Sequence, residues 1–539
     1  MELDPQLKKK SEARWKEHVQ WEALWQEITT LVRPSRSDII QRNSPGQSKT
    51  SRLYDTTAVE AAERLAAALG SLVTSAVLPW VEYDIPTLPG FPRTRAMDDW
   101  LQAAREKVLR TLAQSNFYRA MGECYGDLTT VAICAMFIDE RLDRQGRFDG
   151  FNFNALHLNE YAISEDDQET VDAVDIKICK PLQDWAEEVG VENLHETHRL
   201  KLRDKPLEEL ELIQMVFQRH GRRVGLVADR FPVASLLVDM QNNHVVQEKG
   251  YHEWPLPVGR WHKANRKETY ARGPAYTALP DIQTLNKADE YGIKSWAQAL
   301  RPPLMVLHDG VIGAADTRPD HINYINQEGA MQYLVSGERL DVTQVRREDK
   351  RDAIRRIFFM DQVQFIPERG KTPPTAAEIN ARLQIMLQIM GPTLVGFEYD
   401  FQTVAADRVF MGLMRNGQIP PPPPELVVAA QANNGKLDVK FIGPISRARK
   451  QADVQSLDES TNYILSVAQA VPDVLDIPDW DEAVRRRALW QGIPSDLMKS
   501  RDRVQEIRAA KAQQMQAAQA QQEQAMDAEA IQKVGSVAQ

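Results

Sequence analysis

The sequence predicts an α+β fold arranged around one long, kinked helix at about 375–414, and three observations lead there. Residues 137–280 read mostly as strands and turns, with alternating stretches such as Phe151-Asn152-Phe153, 171–178 and 224–227 that fit antiparallel β structure with helical inserts. The stretches on either side carry helical periodicity instead. From Asp341 onward, a basic amphipathic helix, a charged loop and a long apolar helix follow one another.

In the basic helix, Val345, Ile354, Ile357 and Phe358 fall near one side, and Arg347, Arg351 and Arg355 form an i, i+4 row on another. The pattern lapses over 362–371, and Pro373-Pro374 forbids helix across the junction. Thr375 and Glu378 have capping-box spacing, so the next helix starts there. Its apolar stripe, from Ile379 through Leu383, Ile385, Ile389 and Met390, is wide enough to predict burial. Gly391-Pro392 predicts a kink before the pattern resumes at Leu394, Val395, Phe397 and Phe401 and continues to Met414.

The earlier elements read as follows. Residues 6–32 predict a helix with Trp15, Trp21 and Trp25 as packing anchors. A loop rich in Ser, Pro, Asn and Gly follows over 33–52. Thr57 and Glu60 repeat the capping-box spacing, and a helix runs from there to about Leu78, where Pro79-Trp80 stops it. A strand at 80–85 and helices at 94–114 and after Phe117-Tyr118 come next. Pro280 suits the first turn of a helix reaching Leu300, with Ile282, Leu285, Ala288 and Gly292 on one face. Residues 302–341 are short, Gly- and Pro-punctuated strand-like pieces. Beyond a run of five prolines, Pro420 to Pro424, the sequence predicts a connector, a strand at 437–442 and a helix at 456–471. Trp480 and Trp490 flank another helix, and an Ala/Gln-rich tail is helix-prone but lacks bulky core residues.

Composition restricts function. With 539 residues, 43% hydrophobic and 26% charged, the chain can bury several cores. A net charge of -10 argues against tight nucleic-acid binding, which needs clustered cations; a surface that DNA merely passes does not. Cys124, Cys134 and Cys179 lack metal-ligand spacing and read as inert buried thiols in a reducing compartment. The acidic N-terminus has no apolar core for a leader, and the apolar run 65–80 is too short to span a bilayer.

Catalytic signatures are missing. Gly46-Gln47-Ser48-Lys49-Thr50 has only part of a phosphate-loop pattern. His195-Glu196-Thr197-His198 lacks the His-Glu-x-x-His spacing of a zinc helix and reads as a solvated turn. Glu165-Asp166-Asp167 reads as an exposed acidic loop. No nucleophile elbow and no dinucleotide fingerprint occurs, and no cofactor or metal is expected.

Four motifs, in order, resemble the head-to-tail connector (portal protein) family of short-tailed, podovirus bacteriophages. They are the 65–78 helix closing on Pro79-Trp80; Ser115-Asn116-Phe117-Tyr118; Tyr270-x-Arg272-Gly273-Pro274 running into Leu279-Pro280-Asp281-Ile282 and Leu285-Asn286; and Thr375-Ala376-Ala377-Glu378-Ile379. Together they cover most of 50–415. One departure lies at 131–138, where a glycine is expected before the strand and Ile133 and Cys134 stand instead.

The resemblance implies a non-enzymatic ring, a dodecamer, with a central channel for double-stranded DNA. It implies a wing at 1–275, a stem helix at 276–300, a clip at 301–342, a second stem helix at 343–360 and a channel loop at 361–374. Residues 375–455 would then be the long helix and its return to the wing, and 456–539 a C-terminal helical crown and tail. The implied partners are the terminase motor, the major capsid and scaffold proteins and the tail adaptor, with no membrane insertion. The implied place is the portal vertex of the virion, after assembly in the host cytoplasm. In a channel, Arg346, Arg347, Lys350, Arg351, Arg369 and Lys371 are the candidates for brief phosphate contact, few and exchangeable enough to let DNA slide. The competing reading of the basic helix is ion pairing with Glu348, Asp349 and Asp352 of its own or a neighbouring subunit. The alternatives at the level of function are a non-viral ring or scaffold protein and a DNA-processing enzyme.

Overall fold

The computed structural model describes residues 2–41, 44, 46–84, 94–219, 231–300, 304–306, 331–333, 340–363, 385, 389–432, 438–441, 444–468, 471–491, 503–504, 506–511 and 513–514. The chain forms two compact units. One comprises Met1–Asp84, Gln102–Pro421 and Leu437–Gly443, and the other Ile85–Leu101, Pro422–Lys436 and Pro444–Gln539.

In the first unit, α1 (Pro5–Val32) starts where the Asp4 carboxylate accepts from the Gln6 amide at 2.8 Å. α2 (Thr57–Val73) is shorter than the sequence suggests and has no capping box. The Asp55 carboxylate, two residues upstream, takes the Thr57 amide at 2.9 Å instead, and the chain leaves the helix at Thr74, leaving Val77 89% exposed. β1 (Val81–Asp84), α3 (Arg95–Gln114), which belongs to this unit from Gln102 onward, and α4 (Phe117–Thr130) follow as expected. β2 (Ile133–Leu142) lies between β3 (Phe148–Ala155) and a later strand in a three-stranded antiparallel sheet.

A second sheet of five antiparallel strands is built from β4 (Tyr161–Glu165), β5 (Val171–Pro181), β6 (Glu209–Gln218), β7 (Val233–Asp239) and β8 (His244–Tyr251), in that order. Two helical inserts, α5 (Leu182–Val189) and α6 (Glu196–Asp204), join β5 to β6. β9 (Val258–Arg260) completes the three-stranded sheet by pairing Ile133 with Arg260. The expected alternation at 224–227 lies outside the described residues. α1 covers the five-stranded sheet, where Ser11 and Arg14 close on the buried Asp175 at 2.6 Å. Beside them Trp25 packs edge-on against Tyr270, ring centres 4.9 Å apart, within a core that also holds Tyr161, Val174 and Val216.

α7 (Pro274–Leu300) begins six residues earlier than Pro280 suggests, because Pro274 itself takes the first turn. Pro280 sits inside the helix at the loss of one backbone bond. β10 (Leu304–Val306) and β11 (Met331–Tyr333) pair antiparallel; the remainder of 301–339 lies outside the described residues. α8 (Leu340–Ile357) is followed by a turn in which Phe359, a non-glycine residue, adopts φ 58°, and then by a short α9 (Met360–Val363). β12 (Asp438–Phe441) pairs with β1, and the Trp80 and Phe441 rings stack at 6.4 Å.

The long helix differs from expectation in two respects, and its capped start at Thr375 lies outside the described residues. Residues 389–397 stay helical through Gly391-Pro392, and the irregularity falls later, as a π-helical turn at Glu398–Thr403 before the helix Val404–Arg415. The helix is buried on one face only: Met390, Leu394, Phe397 and Phe401 are at most 3% exposed, whereas Ile385, Ile389 and Val395 are about half exposed. The broad stripe therefore divides into a face for this chain's core and a face left open.

In the second unit, helix Pro424–Ala432 follows the prolines, with Pro424 in its first turn. The helix predicted at 456–471 is longer, Pro444–Ala468, and helix Trp480–Gln491 contains both tryptophans rather than lying between them.

Candidate functional site

α7 and α8 form a helix pair whose contact is built from charge. On α7, Asp281 and Asp289 bracket the buried Leu285. On α8, Arg347, Lys350 and Arg351 project at i, i+3 and i+4. Lys350 Nζ lies 2.5 Å from Asp281 Oδ1. Arg347 Nε lies 3.2 Å from Asp289 Oδ1, and its Nη2 donates to the Ala288 carbonyl at 2.8 Å. Arg351 Nη2 lies 3.1 Å from Asp289 Oδ2 and 3.0 Å from Asp55 Oδ2, which ties the pair to the start of α2. Burial pushes the Asp289 carboxyl above its usual range; Arg347 and Arg351 pull it back, and the neighbouring Asp55 adds to the rise. Gly292 makes the close approach possible, since a methyl there would fall on the Arg347 guanidinium, 3.1 Å from Cζ. Ile354 and Phe358, both 0% exposed, anchor the lower end of α8.

The six cations singled out from sequence thus divide. Arg347, Lys350 and Arg351 are held in pairs with acids of α7 and with Asp55, partners that the sequence reading did not name. Arg346 is exposed, with no ion pair among the described residues. Arg369 and Lys371 lie outside the described residues. Further along α8, Arg355 does bond Glu348 and Asp352 of its own helix, at 3.1 and 2.9 Å. The missed residues, Asp281, Asp289 and Asp55, left one trace: two acids eight apart on the flank of the Ile282, Leu285, Gly292 face.

Other motifs resolve differently from their first reading. His195-Glu196-Thr197-His198 is no solvated turn: His195 caps α6, and His198 is buried with Nε2 2.7 Å from Asp239 Oδ2. Glu165 is not in an exposed loop but pairs with the buried Arg260 at 2.5 Å and with Lys263 at 2.6 Å. Lys49 is held by Asp38 and the Ser35 carbonyl. Cys124 and Cys134 are buried, but Cys179 is exposed. Among the described residues no group of His, Cys, Asp and Glu is placed to hold a metal ion, and no helix is long and apolar enough to cross a membrane.

Comparison with known proteins decides what this scaffold is. The family described as bacteriophage head to tail connecting protein matches residues 4–498. The chain belongs to this family. A probable portal protein of Bordetella phage BPP-1 is 24% identical over 536 residues, covering 97% of this chain and 93% of the relative. The portal protein of Salmonella phage epsilon15 is 22% identical over 508 residues, covering 92% and 89%. Among solved structures, a chain of the native gene transfer agent virion aligns at TM-score 0.34 and 10% identity, over 81% of this chain and 90% of that one. A chain from the neck of an empty gene transfer agent particle aligns at the same score over 74% and 86%. At that score no detail transfers. This connector is a structural, non-catalytic part of the phage particle, placed where head meets tail.

Proposed function

We propose that the connector assembles into a closed ring, expected to be a dodecamer, at one capsid vertex, and that double-stranded DNA enters and leaves the head through its central channel. The observation that carries this reading is the family match along residues 4–498, nearly the whole chain. The open apolar face of the long helix supports it, because Ile389, Val395 and Tyr399 are 53%, 51% and 67% exposed in the single chain, and such surface calls for a partner. In this reading residues 1–275 form the wing and 276–300 and 343–360 the stem. Residues 301–342 form the clip that meets the terminase motor and later the tail adaptor. Residues 375–455 return to the wing, and 456–539 form the crown toward the capsid interior, with the capsid and scaffold proteins as further partners.

Transient phosphate contact falls to Arg346, which has no ion pair among the described residues, and to Arg369 and Lys371 of the proposed channel loop 361–374, which lie outside them. Arg347, Lys350 and Arg351, paired with acids of α7 and with Asp55, hold the stem helices together. Few, exchangeable contacts on an acidic protein guide DNA without holding it.

Negative-stain microscopy with native mass measurement tests the ring. Rings with a central hole are expected; a monodisperse monomer or dimer under several salt conditions overturns the reading. Replacing Arg369 and Lys371 together is expected to leave rings intact and impair DNA packaging or retention. Unchanged packaging would remove the channel loop from DNA contact.

A further inference from the structure

Two apolar surfaces of the first unit stay open, one convex and one concave. The convex one is a ridge on the long helix. Successive helical residues turn by about 100°, so Met390, Leu394 and Phe397 gather on the buried side while Ile389, Val395 and Gly396 gather on the opposite, exposed side. Segment 389–397 contains no charged residue. The concave surface is a groove of about 680 Å³ between α2 and α4, walled by Ala66, Ala67 and Gly70 of α2 and by Met121, Gly122 and Tyr125 of α4. Arg33 and Glu63 are the charged residues that line it, and Arg33 is held by Asp127 at 2.6 Å.

Tyr125 relates the two surfaces. It lines the groove, and its ring centre lies 5.7 Å from that of Phe397 on the buried side of the long helix. Ridge and groove therefore look away from each other across the body of the unit. Each also holds a glycine that nothing within the chain explains. A methyl on Gly122 or on Gly396 would meet nothing within 4 Å, yet both sit inside helices, where glycine is destabilising relative to alanine. What glycine permits there is the close approach of another backbone.

We propose that the ridge of one copy seats in the α2–α4 groove of the next, with Gly396 crossing at Gly122 and with Ile389 and Val395 filling the groove. The inference rests on the ring reading and names the surfaces that would close the ring. A ring of identical subunits uses a heterologous interface, in which each copy offers two different surfaces and the one complements the other. Ridge and groove meet that condition in shape, in their lack of charge and in their opposed directions. Charge also selects the occupant. A groove whose one cation is already paired suits neither DNA nor an acidic partner, whereas the uncharged ridge is carried by every copy of this chain.

Two variants of the full-length protein test this. Gly122→Leu puts a side chain into the open groove of its own copy. It is expected to leave urea unfolding unchanged or slightly strengthened and to abolish rings in native mass measurement and negative-stain images. In a Cys179→Ser background, Gly122→Cys combined with Gly396→Cys is expected to give a ladder of covalently linked copies on denaturing gels after treatment with oxidised glutathione. Neither single cysteine variant should give one. If Gly122→Leu does not fold, the ladder decides. Rings of folded Gly122→Leu protein at wild-type yield, or rings of the double cysteine variant without a ladder, overturn the seating. Wild-type protein that forms no rings fails the ring reading itself, so the two failures are read apart.

Discussion

Gly292 on α7 leaves the space that the Arg347 guanidinium of α8 occupies. Glycine inside a helix costs about 1 kcal/mol relative to alanine, so its presence needs this kind of reason. Gly292→Ala is expected to be neutral or destabilising in the native background, because Arg347 must then leave Asp289 and the Ala288 carbonyl. In an Arg347→Met background the same change is expected to stabilise by about 1 kcal/mol. Urea unfolding of the four proteins measures the difference; equal effects in both backgrounds would show that the contact is idle.

Arg351 joins three elements through Asp55 and Asp289, and Arg351→Met is expected to cost about 2 kcal/mol. The deficit depends on pH. Burial raises the folded pKa of Asp289, so its contribution is fully present below the ordinary carboxylate range and is lost as pH rises through the folded value. Removing Arg351 takes away one of the charges that pull this pKa down. The variant's deficit is therefore smaller near pH 4 than near pH 7. A deficit that is constant, or larger in acid, contradicts the assignment.

Arg408 is 2% exposed, with Glu140 at 3.0 Å, Glu253 at 2.5 Å and the Tyr251 ring beneath it at 5.5 Å. Arg415 binds the same two acids but is 29% exposed. Arg408→Met is expected to cost about 3–5 kcal/mol, since two carboxylates lose their buried partner. Arg415→Met is expected to cost about 1 kcal/mol or less. Comparable losses would mean that burial does not set the energy of this network.

Ala132, a non-glycine residue, adopts φ 65° immediately before β2. A methyl added to Gly273 would stand 2.9 Å from the Ala132 methyl, too close for two carbons. Gly273→Ala is expected to cost about 1–3 kcal/mol. Adding Ala132→Gly removes both the collision and the left-handed strain, and should recover about 1 kcal/mol or more. A double variant no more stable than Gly273→Ala alone would refute the coupling.

Arg346 and Arg347 are adjacent, yet they are predicted to fail in different assays. Arg346→Gln should leave unfolding unchanged and lower DNA retention in assembled particles, whereas Arg347→Gln should lower stability first. The channel role of Arg346 does not survive if Arg346→Gln particles retain DNA like wild type.

Much of this architecture was legible in the chain. Period-two and helical patterns located α1, α3, α4, β5 and α8, because burial of one face leaves its spacing in the sequence. Four motifs pointed to the connector family. Capping signals were less dependable: Thr57 and Glu60 have the right spacing, but Asp55 does the capping, since several polar side chains compete for the same few amides. Gly391-Pro392 predicts the kink, whereas the irregular turn lies at Glu398–Thr403.

The sequence by itself determined the α+β class, the order of the elements, the basic character of α8 and the family. Tertiary structure alone decided which cations are committed. Arg351 and Asp55 stand 296 residues apart, and no local periodicity records a partner at that distance. It also decided that one face of the long helix remains open, and that Gln402 is enclosed without a hydrogen-bond partner among the described residues. A side chain's spacing fixes the side of a helix it occupies; what lies opposite that side is set only when the chain has folded.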